Sequence, residues 1–169
     1  MVLSRAFISG KRREMQQEFM GRAIALSRTH MRAGGDGPFG AVIVKGVDII
    51  AEGYNAVISS KDPTAHAEIM AIRRAASALD SFHLKGCEIY TSCEPCPMCL
   101  AAIYWARIEK IYFANTTEDA REIGFDDQVF YQELRRSWAE RHIPAQQLLR
   151  EQALAVFREW REKADHIEY

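Results

Sequence analysis

The sequence has no excess of charge of either sign. Lys and Arg number 22 against 23 Asp and Glu, which gives the 169-residue chain a formal net charge of −1 at pH 7. Nucleic-acid phosphates usually call for a markedly basic domain, and the short stretch Lys11-Arg12-Arg13 does not supply one. We therefore expect no nucleic-acid partner.

The sequence also has no long apolar run. Nothing near the ~18 consecutive apolar residues of a transmembrane helix occurs, and residues 1–10 lack the apolar stretch and cleavage site of a signal peptide. We expect a cytoplasmic protein that does not bind membranes. No internal repeat, low-complexity tract or linker interrupts residues 1–169, so the sequence predicts a single domain with its own hydrophobic core.

Cysteine is scarce and confined to one short region. The chain has Cys87, Cys93, Cys96 and Cys99. They are too closely spaced for a disulfide framework and are typical of a metal site in a reducing compartment. Cys96 and Cys99 place two thiolates one helical turn apart, and a four-coordinate ion needs further ligands. The upstream segment His66-Ala67-Glu68 offers an imidazole and a carboxylate.

Helix and strand patterns alternate through the middle of the chain. Periodicity and helix-forming composition predict helices at residues 11–33, 65–78, 97–106, 127–137 and 151–163. Short β-rich runs predict strands at residues 40–44, 48–52, 87–91 and 110–114, of which the first two form a hairpin. Strands separated by helices of this length are most easily parallel. The sequence therefore predicts an α/β fold with a mixed sheet covered by helices.

The expected helix starts determine the chemistry of the metal site. Asp62 and Pro63 are predicted to begin the helix at 65–78, which would place His66 in its first turn. Cys96 and Cys99 would lie in the first turn of the next helix, and two positive helix ends at one point favour thiolate over thiol. A neutral His with two thiolates balances the charge of Zn²⁺ and leaves one position for water, whose pKa the metal can lower to roughly 7.

Glu68 stands two residues past the predicted ligand His66. Its carboxylate can take the proton from the zinc-bound water and deliver it first to a substrate ring nitrogen and then to the departing amine. A site of this kind hydrolyses amidines by addition and elimination.

Two other readings of the cysteines stay open at this point. An iron–sulfur cluster could use Cys93, Cys96 and Cys99, although the fourth cysteine of the ferredoxin run is absent. A closed structural zinc site could add Cys93 to the set of His66, Cys96 and Cys99, but Glu68 would then have no purpose.

The pattern H-x-E…P-C-x-x-C is typical of zinc deaminases. The segments Thr64-Ala65-His66-Ala67-Glu68 and Glu94-Pro95-Cys96-Pro97-Met98-Cys99 resemble the cytidine deaminase superfamily. A wider set resembles the bacterial guanine deaminases in particular: Gly37-Pro38-Phe39-Gly40, Ile103-Tyr104-Trp105-Ala106-Arg107, Gly124-Phe125-Asp126-Asp127 and the final Glu168-Tyr169.

The resemblance implies more than the patterns alone. It implies a three-layer α/β/α sandwich with a central mixed five-stranded sheet, and a homodimer in which the C-terminal segment at about 145–169 is swapped between subunits. His66, Cys96 and Cys99 would be zinc ligands and Glu68 the proton shuttle. The substrate contacts would come from Phe39, Asn55, Asp127 and the partner's Tyr169.

The reaction that the resemblance implies is the hydrolysis of guanine to xanthine and ammonia by zinc-bound hydroxide. Phe39 would line the base pocket, Asn55 and Asp127 would hydrogen-bond the purine edge, and Tyr169 would close the site. A deaminase of cytosine, guanosine, an aminotriazine or tRNA adenosine is an alternative. A non-catalytic structural zinc module is another.

Overall fold

The structure, a computed structural model, describes residues 5–168, with side chains from Gly10 onward. The predicted substrate contact Tyr169 therefore lies outside the described residues. Contacts divide the chain into two compact units, Met1–Asp127 and Gln128–Tyr169, and each is described by itself.

The first unit contains a sheet and most of the helices. Its helices are α1 (Arg5–Ala33), α2 (Val57–Ser60), α3 (Ala67–Ala78), α4 (Pro97–Trp105) and α5 (Thr117–Glu122). Its strands are β1 (Gly40–Lys45), β2 (Asp48–Tyr54), β3 (Cys87–Cys93) and β4 (Lys110–Asn115). The helices and strands predicted in this part of the chain are confirmed, whereas the short α2 and α5 were not predicted.

The sheet is mixed, with strand order β2-β1-β3-β4. β1 pairs antiparallel with both β2 and β3, and β3 pairs parallel with β4 across the connection that contains α4. The predicted hairpin and the α/β class are thus confirmed. The five-stranded sheet is wrong for residues 5–168, where the sheet has four strands.

A helix start explains why the chain forms no strand directly after β4. Thr116 and Asp119 make a capping box, in which the Thr116 hydroxyl accepts from the Asp119 amide and the Asp119 carboxylate accepts from the Thr116 amide. Such a box satisfies amide groups that would otherwise lack partners at a helix start. The chain therefore continues as α5 directly after β4.

Helices cover both faces of the sheet. Side chains alternate along a strand, so neighbouring residues face opposite layers. In β3, Cys87 and Ile89 pack in one core with α3 and α4, while Tyr90 packs in a second core with Phe19 and Leu26 of α1. The first unit is consequently a three-layer arrangement, and the α3–α4 side carries the predicted metal ligands.

His66 and Cys96 each lie one position before a helix: α3 begins two residues later than predicted, whereas α4 begins at Pro97 as predicted. α3 begins at Ala67, and His66 is its N-cap residue in an extended conformation. The Asp62 carboxylate accepts instead from the amide and the hydroxyl of Thr64, at 2.8 and 2.6 Å, so it stabilises a turn before the helix. Likewise Cys96 is the N-cap of α4. The prediction that His66 and Cys96 lie within a first turn is therefore wrong by one position.

The second unit is helical in its described part. It contains α6 (Gln128–Arg135), a 3₁₀ turn (Trp138–Glu140) and α7 (Arg150–Glu162), in agreement with the two predicted helices. Several large apolar side chains of this unit are exposed, among them Phe130, Trp138, Leu148, Phe157 and Trp160. Between residues 5 and 168, every helix is too short or too polar to cross a membrane.

Candidate active site

His66, Cys96 and Cys99 come together at the starts of α3 and α4. Their ligand atoms all lie within 4.8 Å of one another. The His66 Nδ1 atom is 3.6 Å from the Cys96 Sγ and 3.5 Å from the Cys99 Sγ. A tetrahedral zinc ion with bonds of about 2.0–2.3 Å spaces its ligand atoms by about 3.5 Å. The donor set and its spacing therefore fit zinc.

The protonation of the two thiols also fits a cation. A hydrogen bond with Cys99 lowers the pKa of Cys96 to about 4, and the same contact, followed by burial, raises the pKa of Cys99. Cys96 is thus the more acidic of the two thiols. The hydrogen bond to Cys96 raises the pKa of His66, with burial acting in the opposite direction. A divalent cation takes the place of such protons, because metal ligands bind as thiolates and neutral imidazole.

Glu68 lies beside this cluster and is buried, with 6% of its surface exposed. Its Oε2 atom accepts from the Cys99 Sγ at 3.4 Å, and its Oε1 atom accepts from the Thr91 hydroxyl at 3.3 Å. Burial raises the pKa of the Glu68 carboxyl. A carboxyl group whose pKa is shifted towards neutrality is suited to general acid–base work.

Cys93 stands apart from the metal ligands. Its Sγ donates to the Thr116 carbonyl oxygen at 3.4 Å, and burial raises its pKa to about 11. Among the described residues, the grouped metal-binding side chains are His66, Cys96 and Cys99. The structure therefore does not favour the cysteine-rich alternatives, which need Cys93 as a ligand.

A cavity of about 390 Å³ opens onto the cluster from within the first unit. This volume is in the range of small-molecule sites. Its walls include the predicted substrate contacts Phe39, Asn55 and Asp127 together with His66 and Glu68. Burial, followed by the nearby Cys96 charge, raises the pKa of Asp127.

Asn55 contributes a hydrogen-bond donor to the cavity. Its Oδ1 atom accepts from the amides of Gly37 and Val57, both at 3.3 Å, which assigns the orientation of the side-chain amide. The remaining polar group is the NH₂, which can only donate. Asn55 is therefore suited to an acceptor atom on a ligand.

Sequence reasoning missed two residues at this site. Phe125 packs edge-on against Phe39, with ring centroids 4.9 Å apart and an interplanar angle of 88°, and it also lines the cavity. The segment Gly124-Phe125-Asp126-Asp127 is part of the family resemblance, but the sequence analysis assigned no role to Phe125. Thr91 contacts Glu68 from β3. The one signal for this in the sequence is that Thr91 stands two residues before the Cys93–Cys99 segment.

The comparisons with known proteins agree with this geometry. The family model described as the cytidine and deoxycytidylate deaminase zinc-binding region matches residues 13–115. A guanine deaminase of Bacillus subtilis is 50% identical over 153 residues, which cover 90% of this chain and 98% of that protein.

Two further comparisons mark the extent of the likeness. The X-ray structure of guanine deaminase from Bacillus subtilis superposes with a TM-score of 0.88 at 50% identity, covering 90% of this chain and 98% of that one. A tRNA-specific adenosine deaminase of Aquifex aeolicus is 49% identical over 80 residues, which cover 47% of this chain and 53% of that protein. The chain belongs to the cytidine and deoxycytidylate deaminase family of zinc enzymes, and its His66, Cys96 and Cys99 are together able to hold the metal.

Proposed function

We propose that this protein is a guanine deaminase, which hydrolyses guanine to xanthine and ammonia. The observation that carries the proposal is the placement of a buried carboxyl, Glu68, beside the three candidate zinc ligands at the wall of a cavity. The 50% identity to the Bacillus subtilis enzyme over nearly the whole of both chains supports guanine as the substrate.

His66, Cys96 and Cys99 hold the metal in this proposal. Zinc bound there supplies a Lewis acid that makes hydroxide available from water near pH 7. The starts of α3 and α4 direct their positive ends at the two thiolates and stabilise them.

Glu68 moves the protons. It accepts a proton from the water that attacks C2 of guanine and delivers it to the ring nitrogen N3. The proton of the resulting C2 hydroxyl then passes through Glu68 to the 2-amino group as the C2–N bond breaks, so that ammonia leaves and the C2 carbonyl of xanthine forms. The buried position of Glu68 keeps bulk water from competing for these protons.

The cavity walls orient the base. Phe39 and Phe125 offer an apolar wall against which a planar ring can pack. The Asn55 NH₂ donates to an acceptor of the purine, such as O6 or N7. The Asp127 carboxylate accepts from the donor-rich edge of guanine, where N1-H and the 2-amino group lie.

We also propose that residues 1–169 form one deaminase domain whose C-terminal segment, about 145–169, is swapped between the subunits of a homodimer. The exposed Leu148, Phe157 and Trp160 support this, because large apolar side chains in water mark surfaces that bind other surfaces. Tyr169 then closes the partner's site. The thiolate ligands suit the reducing cytoplasm, where we place the protein.

The alternatives have weaker support. A tRNA adenosine deaminase should be more basic than a chain with a net charge of −1. A structural zinc module would have no use for the buried Glu68 and the adjoining cavity.

An ammonia-release screen tests the function. The zinc-loaded protein is given guanine, guanosine, cytosine, adenine and an aminotriazine, and the ammonia released from each is measured, with xanthine formation from guanine confirmed by its absorbance. We expect guanine to be the best substrate. The Glu68→Gln variant is the control: it should keep its zinc and lose about 10² to 10⁴ in rate, since the amide cannot accept the proton. Faster release from another compound would replace guanine in the proposal, and normal turnover by the variant would remove Glu68 from it.

A further inference from the structure

Thr91 lies near the end of β3 and is almost completely buried, with 1% of its surface exposed. It pairs with Ala41 of β1 and Phe113 of β4, so its backbone is held on both sides by the sheet. Because side chains alternate along a strand, Thr91 shares the face of Ile89, which packs against α3 and α4. The hydroxyl is thus a polar group on a rigid element at the wall of the metal site.

The hydroxyl contacts two acceptors. It lies 3.3 Å from the Glu68 Oε1 atom and 3.0 Å from the carbonyl oxygen of Cys93, so its one proton is shared between the two in a bifurcated hydrogen bond. Glu68 therefore has its two oxygens on different partners, with Oε1 towards Thr91 and Oε2 towards the Sγ of Cys99 at 3.4 Å. One oxygen faces the sheet and the other faces the metal ligands.

Metal binding removes one of the two hydrogen bonds to Glu68 and leaves the other. Cys99 binds a metal as a thiolate and then has no proton to donate. Among the side chains that the structure describes, Thr91 is then the donor that remains on the Glu68 carboxylate. Threonine also suits the position because its branched Cβ restricts the rotation of the hydroxyl.

We propose that Thr91 is a positioning residue for Glu68, which holds Oε1 against the sheet and leaves Oε2 directed at the metal ligands and the cavity. This inference rests on the proposed function, in which Glu68 moves protons between water and substrate. Thr91 gains and loses no proton in the overall reaction. Its contribution is to fix the direction of a carboxylate, and misplacement of a reacting group by about 1 Å can cost on the order of 10²-fold in rate.

Two substitutions separate the hydroxyl from the packing of the side chain. Thr91→Val keeps the branched shape and removes the hydroxyl, whereas Thr91→Ser keeps the hydroxyl and removes a methyl group. Ser92→Ala is the matched control, because Ser92 is also buried in β3 and its Oγ accepts from the Gly40 amide at 3.0 Å on the other face of the sheet. Zinc content, kcat, KM for guanine and the thermal midpoint are measured for each zinc-loaded protein.

We expect Thr91→Val to lose about 10-fold to 10²-fold in kcat with KM and zinc content unchanged, since the carboxylate and not the substrate is misplaced. Thr91→Ser should recover most of that rate. Ser92→Ala should lower the thermal midpoint and keep kcat. An unaffected Thr91→Val, a loss in Thr91→Ser as large as in Thr91→Val, or a loss of zinc in Thr91→Val would each overturn the proposal.

A second measurement does not depend on the substrate. Thr91→Val is combined with Glu68→Ala, and the shifts of the thermal midpoint are compared in a double-mutant cycle. We expect Thr91→Val to lower the midpoint less in the Glu68→Ala background than in the unsubstituted protein. Additive shifts would contradict the contact. If the unsubstituted protein did not turn over guanine, the proposed function would fail, while this cycle would still test the link between Thr91 and Glu68.

Discussion

Gly53 of β2 packs directly against Ala71 of α3. A Cβ atom on Gly53 would lie 2.6 Å from the Ala71 amide nitrogen and 3.0 Å from the Ala71 Cβ, and it would also overlap the carbonyl oxygen of Ala67. The residues before and after Ala67 are His66 and Glu68, so the absence of a side chain at Gly53 determines how closely the start of α3 approaches the sheet.

Gly53→Ala should therefore weaken zinc binding as well as the fold. The added methyl group must displace α3, which costs about 1–3 kcal/mol of unfolding free energy and moves His66 from the two thiolates. Zinc affinity by competition with a chelator and unfolding by urea measure the two effects. Gly40→Ala is the control, since its Cβ would lie 2.7 Å from the Ser27 amide nitrogen of α1, on the other face of the sheet. It should lose stability and keep its zinc affinity, and equal zinc loss in both variants would contradict this account.

Cys96→Ala and Cys93→Ala should behave differently. Cys96→Ala should lose zinc and activity together, because one of the three candidate ligands is removed. Cys93→Ala should keep its zinc, since the Cys93 Sγ contacts the Thr116 carbonyl oxygen and its raised pKa keeps it a thiol. Zinc content by elemental analysis decides the matter, and full occupancy in Cys96→Ala would mean that Cys93 is a ligand.

Two substitutions at Asn55 separate its role in the loop from its role at the substrate. Asn55→Asp keeps an oxygen for the Gly37 and Val57 amides and replaces the NH₂ by an acceptor. It should keep most of the stability and lose about 10-fold to 10²-fold in kcat/KM for guanine. This is the loss expected when one hydrogen bond is removed and the acceptor on the purine is left without a partner. Asn55→Ala should lose both. Equal kcat/KM in Asn55→Asp and the unsubstituted protein would rule out donation to the purine.

The swap of the C-terminal segment can be tested by mixing two inactive variants. Deletion of residues 167–169 should lower guanine turnover with the zinc retained, because a lid excludes water from the site. The Glu68→Gln variant keeps its tail and lacks the proton acceptor. In a swapped heterodimer, the intact Glu68 site of the truncated chain receives the intact tail of its partner, so mixing should restore some activity. No recovery after confirmed subunit exchange would mean that each tail closes its own site.

The Arg22–Glu52 pair predicts a pH dependence of stability. Arg22 donates to both carboxylate oxygens of Glu52 at 2.6 and 2.7 Å, and this hydrogen bond holds the pKa of Glu52 below its ordinary value of 4.5. A carboxyl whose pKa is lower in the folded state stabilises the fold above its unfolded pKa, and that stability is lost as the pH falls through the folded pKa.

Glu52→Gln should accordingly lower the unfolding free energy at pH 7 and have less effect in acid. The two side chains are 49% and 30% exposed, so the loss should be only about 0.5–1 kcal/mol. Urea unfolding at pH 7 and at about pH 3 measures it. Glu151→Gln is the control, since the Arg150–Glu151 pair is 58% and 78% exposed and should contribute nothing measurable. An equal loss at both pH values would show that the charge of Glu52 is not responsible.

The local features of this protein can be inferred from its sequence alone. The periodicity that predicted the helix at residues 11–33 agrees with the buried Phe19, Ala23 and Leu26 of α1, because helical periodicity is a property of neighbouring residues. The spacing of Cys96 and Cys99 likewise places two thiols close together at the start of one helix. Together with His66 and Glu68, these residues indicated a zinc site and a proton carrier before any fold was known.

The remaining features required the folded structure, because the relevant contacts join residues far apart in the chain. Among residues 5–168 the sheet has four strands in the order β2-β1-β3-β4, in place of the five that the resemblance implied, and this order depends on pairing between strands far apart in the chain. The exclusion of Cys93 from the metal ligands depends on the Thr116 carbonyl oxygen, 23 positions later in the chain. The contact of Thr91 with Glu68 depends on the packing of α3 against the sheet, which the absence of a side chain at Gly53 allows.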